Sequence, residues 1–504
     1  MNSVVRTRYA PSPTGNLHIG GARTALFAYL WAKKNNGQFI LRIEDTDKTR
    51  EKPESWHSLY YGLKWLGIDW EEGLAHPDTK ESVGPYGPYI QSERTEIYAK
   101  YAQELIEKGN AYYCFCTSER LEQMRQDQQA RKEPPRYDRT CRSLSADEVA
   151  QRLEAGEKHV IRLAVPLSGD LIVADLLRGD IIFHLADVDD QVLMKADSMP
   201  TYHLANVVDD HLMNISHVIR GQEWLPSTPK HVLLYQMFGW TAPIFVHLTV
   251  FLSKKGGKMS KRDGETSLFA FRDQGYLPQA IVNGIAFLGW NPKTTEEFFT
   301  MDELIQRFDL SMINTGNPVF EVEKLQWMNQ HYMKKLSVDE AMFVLRELVD
   351  SASDDFSDAY ADYLSWLSEL PQAQQKRQWQ LACERSKTFW EVVQIWKEMM
   401  HVPELDVAQL VWKKSTPQQT RDILEKLTDF MTTLPEESYG AQELEVSVRA
   451  WIAEQGFGNG DVLWPMRYAL SHQAKSPPPF ELAEIIGKQE TLNRLHNAYQ
   501  NIHI

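Results

Sequence analysis

The sequence predicts an α/β fold interrupted by an inserted α+β segment and followed by an all-α C-terminal region. Three observations carry this. A breaker-rich loop joins a strand to a helix near the start, a nearly continuous apolar strand follows that helix, and beyond about Leu336 apolar residues repeat only at helical spacing. Val5 to Ala10 reads as the first strand, Pro11 to Gly15 as the loop, and Gly20 to Lys34 as the helix, which Gly37 stops. Ala22, Leu26, Tyr29 and Leu30 place an apolar stripe on one helical face. Phe39, Ile40, Leu41 and Ile43 follow without polar alternation, the pattern of a parallel strand covered on both faces. Such a β-α-β unit crosses over right-handed and leaves a ligand crevice at the carboxyl ends of its strands. Both the Pro11 to Gly20 loop and the acidic run Glu44-Asp45-Thr46-Asp47 fall on that edge.

After Ser92 the pattern changes to a polar helical stretch, the breaker Glu133-Pro134-Pro135-Arg136, and short strand-like runs at His159 to Val165 and Asp180 to Leu185. This reads as a domain inserted into the parent fold, which resumes near Pro200 with Ile215 to Ile219 as a strand and Lys230 to Met237 as a helix. In the last third, Ala341, Val344, Leu345 and Leu348 recur at helical spacing, as do Phe389, Val392, Val393 and Trp396. The expected segments are 1–95 and 200–255 for the two halves of the parent fold, 96–199 for the insertion, 256–336 for a connecting domain, and 337–504 for the helical region.

Composition narrows the function. The 504 residues are 43% hydrophobic and 24% charged, with a formal net charge of −15. A whole-surface electrostatic grip on nucleic acid is thereby excluded, and such a partner must be held by local basic patches. No apolar run approaches the ~20 residues of a membrane helix, and the opening lacks a secretory apolar stretch, so the expected location is the cytoplasm. Four cysteines are too few for a disulfide framework.

Two elements carry chemistry. The loop ending in His18-Ile19-Gly20-Gly21 enters a helix N-terminus, where backbone N–H groups and the helix dipole favour phosphate. Ser12 and Thr14 add hydroxyls, His18 can donate to a phosphate, and Gly20 and Gly21 would let an adenosine lie against the backbone. Far downstream, Lys254-Lys255-Gly256-Gly257-Lys258-Met259-Ser260-Lys261-Arg262 joins flexible glycines to concentrated positive charge, suited to neutralising a departing pyrophosphate. Alone, the first also reads as a capped turn and the second as a solvated basic loop. Their order within one chain is the stronger signal.

Arg8-Tyr9-Ala10-Pro11-Ser12-Pro13-Thr14-Gly15 with His18-Ile19-Gly20-Gly21 resembles the first signature of class I glutamyl-tRNA synthetases, and Lys258 to Arg262 resembles the second. Gly21 stands where the family often has a second histidine, and Arg262 where a serine is usual. Arg42 to Asp47, Pro200 to His211 and Val218 to Trp224 extend the likeness over the N-terminal two-thirds, and Met466 to Leu470 continues it more weakly.

The resemblance implies a Rossmann-type catalytic domain, an inserted acceptor-stem-binding domain, a stem-contact domain carrying the Lys258 to Arg262 loop, and a helical anticodon-binding region. It implies activation of L-glutamate by ATP with Mg²⁺, tRNA(Glu) as acceptor through its terminal 2′-hydroxyl, dependence of activation on bound tRNA, and a monomer. His18, Lys258 and Lys261 would be catalytic. Arg8, Ala10, Ser12, Glu44, Tyr202, Asn206 and Arg220 would line the glutamate pocket. Ser12, Thr14, His18, Gly20, Gly21, Glu223, Trp224 and Lys258, Met259, Ser260, Lys261 and Arg262 would meet ATP. The chemistry agrees, since a dicarboxylate needs two cationic anchors and arginine pairs with carboxylates bidentately. Cys114, Cys116 and Cys141, with Tyr137 as a fourth ligand, resemble a zinc site of some members; a remnant of packed, reduced thiols is the other reading. A glutaminyl-tRNA synthetase shares both signatures, but its anticodon half is built of β-barrels. A catalytically silent tRNA-binding paralogue is the remaining alternative.

Overall fold

The computed structural model describes residues 4–252, 267–413 and 415–503. The expected β-α-β unit is present: strand β1 (Arg6–Tyr9), a helix over Ile19–Lys34, and β2 (Gln38–Leu41) parallel to β1 with Arg6 opposite Gln38 and Tyr9 opposite Leu41. β3 (Glu72–Leu74) adds in parallel and β4 (Ser82–Val83) closes that edge antiparallel. The inserted segment contributes β5 (Ala111–Cys114), β6 (Val160–Leu163), β7 (Asp170–Asp175), β8 (Gly179–His184) and β9 (Val192–Met194). The parent fold then resumes with β10 (His217–Gly221), a helix over Thr228–Phe238, and β11 (Ile244–Leu248) parallel to β10. Ser216 joins the two halves: its Oγ accepts from the Arg6 N–H at 2.8 Å, and its own N–H donates to the Arg6 carbonyl at 2.9 Å.

Alternation along the parallel strands sends side chains into two cores. Phe39, Leu41, Ile219, Val246 and Leu248 join one core, and Ile40, Val218 and Phe245 the other, so the β1–β2 and β10–β11 sheets share both cores. This two-sided burial is why β2 reads as unbroken apolar sequence. The helix Ile19–Lys34 departs from the single stripe expected of it. Ile19, Ala25, Phe27, Ala28 and Ala32 are buried as well, because residues from Leu268 to Leu325 share its core and Phe308 meets Phe27 with ring centroids 5.1 Å apart.

β5, β6 and β9 form a separate antiparallel sheet, but the β7–β8 hairpin does not join it. β7 pairs instead with β11, with Asp175 opposite Phe245, so this hairpin completes a four-stranded sheet with β10 and β11. Residues 1–272 with 276–329 make one compact unit, and 273–275 with 330–504 make a second. Among its described residues the second unit has helices and no strands, and Ala341, Leu345, Leu348, Phe389, Val392 and Val393 are buried as their spacing predicts. No described helix is long and apolar enough to cross a membrane.

Candidate active site

The strand ends gather charge that water cannot reach. Arg8 donates from Nε and Nη2 to the two Asp210 oxygens at 3.0 and 3.3 Å. Arg42 donates from Nη1 to Asp210 at 2.7 Å and from Nη2 to Glu44 at 3.0 Å. Asn206 Nδ2 reaches the same Glu44 oxygen at 3.3 Å. Behind them Asp209 accepts from Arg94 Nε at 2.8 Å, Gln91 Nε2 at 2.9 Å and the Tyr98 hydroxyl at 2.8 Å. Burial pushes the Glu44 carboxyl up, against the pull of Arg42 and Arg8. Burial also acts on Asp210, but the two guanidinium groups outweigh it and hold that carboxyl below its ordinary value.

Arg220 differs. It is 4% exposed, yet all its partners are neutral: His247 Nε2 at 3.0 Å, the Tyr202 hydroxyl at 3.0 Å, His231 Nδ1 at 3.2 Å and Thr228 Oγ1 at 2.9 Å. Among the described residues no carboxylate pairs with it. Tyr202 lies in the field of Arg220, Glu44, Arg8 and Asp210 together, which places the expected pocket residues in one neighbourhood. Ala10 and Ser12 follow directly from β1, and Glu44 N–H donates to the intervening Pro11 carbonyl at 3.0 Å.

His18 caps the helix Ile19–Lys34. Its Nδ1 accepts from the Gly21 N–H at 3.1 Å, so the proton of the neutral ring sits on Nε2, the nitrogen able to donate to an anion. Ser12 is exposed and Thr14 and Gly20 are half-buried on the same loop. A Cβ on Gly21 would stand 2.6 Å from the buried Tyr9 hydroxyl and 3.1 Å from Leu17 Cδ1. The glycine therefore serves packing beneath the helix start. Gly21→His, which restores the second histidine of the signature, should gain no activity and lose about 1–3 kcal/mol of stability; thermal unfolding alongside the rate of ATP–pyrophosphate exchange measures both.

Trp224 is 38% exposed and lies on Tyr202 with ring centroids 4.3 Å apart, so it is a surface platform beside the pocket and not core. Glu223 folds across Gly221, where a Cβ would meet its carboxylate at 2.2 Å. Lys258, Met259, Ser260, Lys261 and Arg262 lie outside the described residues. The chain re-enters the described structure at Ser267, which bridges His18, while Leu268 N–H donates to the Leu17 carbonyl at 2.9 Å.

In the insertion the sulfurs of Cys114, Cys116 and Cys141 lie within 4.8 Å of one another. The Tyr137 hydroxyl is 3.3 Å from the sulfurs of both Cys114 and Cys116. Ser143 donates to the Thr140 carbonyl at 3.0 Å and is not a member of the cluster. The spacing fits a tetrahedral ion, for which metal–sulfur bonds of about 2.3 Å put sulfurs roughly 3.8 Å apart.

Residues 4–327 match the family model "tRNA synthetases class I (E and Q), catalytic domain", and residues 327–499 match "Anticodon binding domain". A glutamate–tRNA ligase of Finegoldia magna is 40% identical over 511 residues, covering 98% of this chain and 99% of the relative. The chain belongs to the glutamate–tRNA ligase family of class I tRNA synthetases. A Pseudomonas putida member is 41% identical, covering 98% of this chain and 95% of its own. The crystal structure of a glutamate tRNA ligase from Elizabethkingia meningosepticum, in complex with its amino acid, superposes with a TM-score of 0.85 at 36% identity, over 99% of this chain and 100% of that one. A glutamate–tRNA synthetase structure from Elizabethkingia anophelis gives 0.82 at 36%, with the same coverage.

Set within this ligase family, the sequence reading missed the groups that hold the pocket. Arg42, Asp209 and Asp210 stood inside the matched motifs without a role, and Thr228, His231, His247 and Asp175 were not singled out. The available signal was a histidine in the apolar strand sequence Ile-Phe-Val-His-Leu.

Proposed function

We propose that this chain forms glutamyl-tRNA in two steps on the crevice described. The α-carboxylate of L-glutamate attacks the α-phosphate of ATP, which binds with Mg²⁺, and pyrophosphate leaves. The terminal adenosine of tRNA(Glu) then takes the glutamyl group and AMP departs. Alignment and preorganised charge supply the catalysis, and little acid-base work is asked of the protein. His18 Nε2–H, at the positive end of its helix, meets the phosphates, and Lys258 and Lys261 neutralise charge on the leaving pyrophosphate.

The observation that carries the glutamate reading is Arg220, a buried cation ringed by neutral acceptors. The α-carboxylate loses its charge on becoming an anhydride, so a fixed cation dedicated to it would be stranded halfway through the reaction. The side-chain carboxylate keeps its charge throughout. Arg220 is therefore assigned to it, with the Tyr202 hydroxyl, which accepts from Arg220, giving its own hydrogen to the same carboxylate. Glu44, steadied by Asn206, takes the α-ammonium. Arg8 is already committed to Asp210 through two bonds and acts by shaping the site. ATP–pyrophosphate exchange in the presence of tRNA(Glu) should proceed with glutamate and not with glutamine. Exchange with glutamine alone would point to the glutaminyl enzyme, and no exchange with either to a silent paralogue.

The cysteine cluster we assign to structural zinc, on the three sulfurs and the Tyr137 oxygen. Elemental analysis should find about one zinc per chain, and Cys141→Ser should lose it. A metal-free chain in which Cys114, Cys116 and Cys141 titrate as free thiols alongside Cys383 would establish the packed-remnant reading instead.

A further inference from the structure

Arg220 is set in place by groups that are themselves set from behind. Its Nε–H donates to His247 Nε2 at 3.0 Å, which requires that nitrogen to carry no proton. The proton therefore sits on Nδ1, and Asp175 Oδ2 lies 2.7 Å away to receive it. His247 and Asp175 side chains are fully buried. Asp175 has no freedom to turn: Oδ1 accepts from the N–H groups of Leu177 and Arg178, each at 3.0 Å, and Oδ2 also accepts the His247 N–H at 3.1 Å. On the other side His231 Nδ1 accepts from Arg220, so His231 Nε2 donates to His203 Nδ1 at 3.1 Å. Burial and the nearby Arg220 hold His231 well below its usual pKa and His203 at about 3, so neither ring competes with the guanidinium for an anion.

Four of the five Arg220 N–H groups are thus spent on neutral acceptors, and one Nη2–H remains. The orientation of that last N–H depends on where Nε is anchored. We propose that Asp175 and His247 are positioning residues for glutamate selectivity. Asp175 fixes the His247 tautomer, His247 fixes the Arg220 plane, and the plane aims the remaining N–H at the substrate's side-chain carboxylate. Asp175 ends β7, on the hairpin that crosses from the inserted segment to pair with β11. Recognition of the amino acid therefore depends on a carboxylate delivered by the insertion.

This inference rests on Arg220 binding that carboxylate, and the experiment separates the two. Exchange kinetics on the full chain with tRNA(Glu) would compare Asp175→Asn, His247→Leu, His247→Gln and Arg220→Gln. In Asp175→Asn the amide nitrogen faces the His247 backbone N–H, the ring takes its other tautomer, and two donors confront each other at Arg220. The KM for glutamate should rise about 10- to 100-fold in Asp175→Asn and His247→Leu, with the preference over glutamine falling in step and the KM for ATP staying within about twofold. His247→Gln, whose amide oxygen can accept from Nε, should stay within about threefold of the parent. Parallel rises in both KM values with a lowered thermal midpoint, or a His247→Gln variant as damaged as His247→Leu, would overturn the proposal in favour of a purely structural pair. If Arg220→Gln leaves the KM for glutamate unchanged, the pocket assignment itself fails. If Arg220→Gln is impaired while Asp175→Asn and His247→Leu are not, only the positioning role fails.

Discussion

Replacing Arg220 with glutamine is expected to raise the KM for glutamate by about 10²- to 10⁴-fold, the equivalent of the roughly 3–5 kcal/mol that follows when one member of a buried charge pair is removed. The size of the effect comes from the surroundings. With Arg220 gone, the substrate carboxylate would enter a site whose remaining neighbours, Tyr202, His231, His247 and Thr228, are all neutral. The Tyr202 hydroxyl alone cannot replace the lost charge. Because the side-chain carboxylate is bound equally in the ground state and the transition state, the loss should fall on KM and leave kcat within about tenfold. The preference for glutamate over glutamine should collapse, since an amide no longer strands a buried cation. A fall in kcat with KM preserved would mean that Arg220 acts on the reacting α-carboxylate.

Much of this architecture is legible in the local sequence pattern. Phe39 to Leu41 reads as a doubly covered strand because alternate residues serve different cores, and the helical third reads as helical because each stripe has one buried face. What failed to show was nonlocal. The second buried face of the helix Ile19–Lys34 depends on residues more than 200 positions later, and the pairing of β7 with β11 turns on one contact, Asp175 opposite Phe245. The same limit applied to the site. Motif likeness located Arg8, Glu44, Tyr202, Asn206 and Arg220, and the fold brings them together. It gave no means of telling that Arg8 is neutralised by Asp210 while Arg220 is not, because that difference is made by carboxylates delivered from other elements. Gly21 likewise reads as a missing histidine until the Tyr9 hydroxyl is seen beneath it.

Arg42→Met should destabilise the N-terminal unit by about 3–5 kcal/mol without removing any group assigned to substrate. Arg42 has no exposed surface and lies among three carboxylates, donating to Asp210 and Glu44 and standing 3.8 Å from Asp209. Methionine fills much of the same volume, so the cost is chiefly electrostatic: Glu44 and Asp210 remain buried with too little positive charge around them. The pH dependence separates charge from packing. Glu44 already titrates above its ordinary value, because burial outweighs its cations. Asp210 titrates below its ordinary value of 3.8, so it adds stability above that pH and loses it as the pH falls through its folded value. Without Arg42 both carboxyls should titrate higher, and Glu44, already above its ordinary value, becomes protonated in the folded state at a pH where the unfolded chain still ionises it, while Asp210 keeps its two bonds from Arg8. The folded variant then binds more protons than the unfolded one across the range above the ordinary carboxylate values, so its deficit relative to the parent should shrink as pH is lowered from 7 to 5. Urea unfolding of both proteins at those two pH values measures this directly. A deficit of the same size at both would assign the loss to packing around residue 42 and not to the stranded carboxylates.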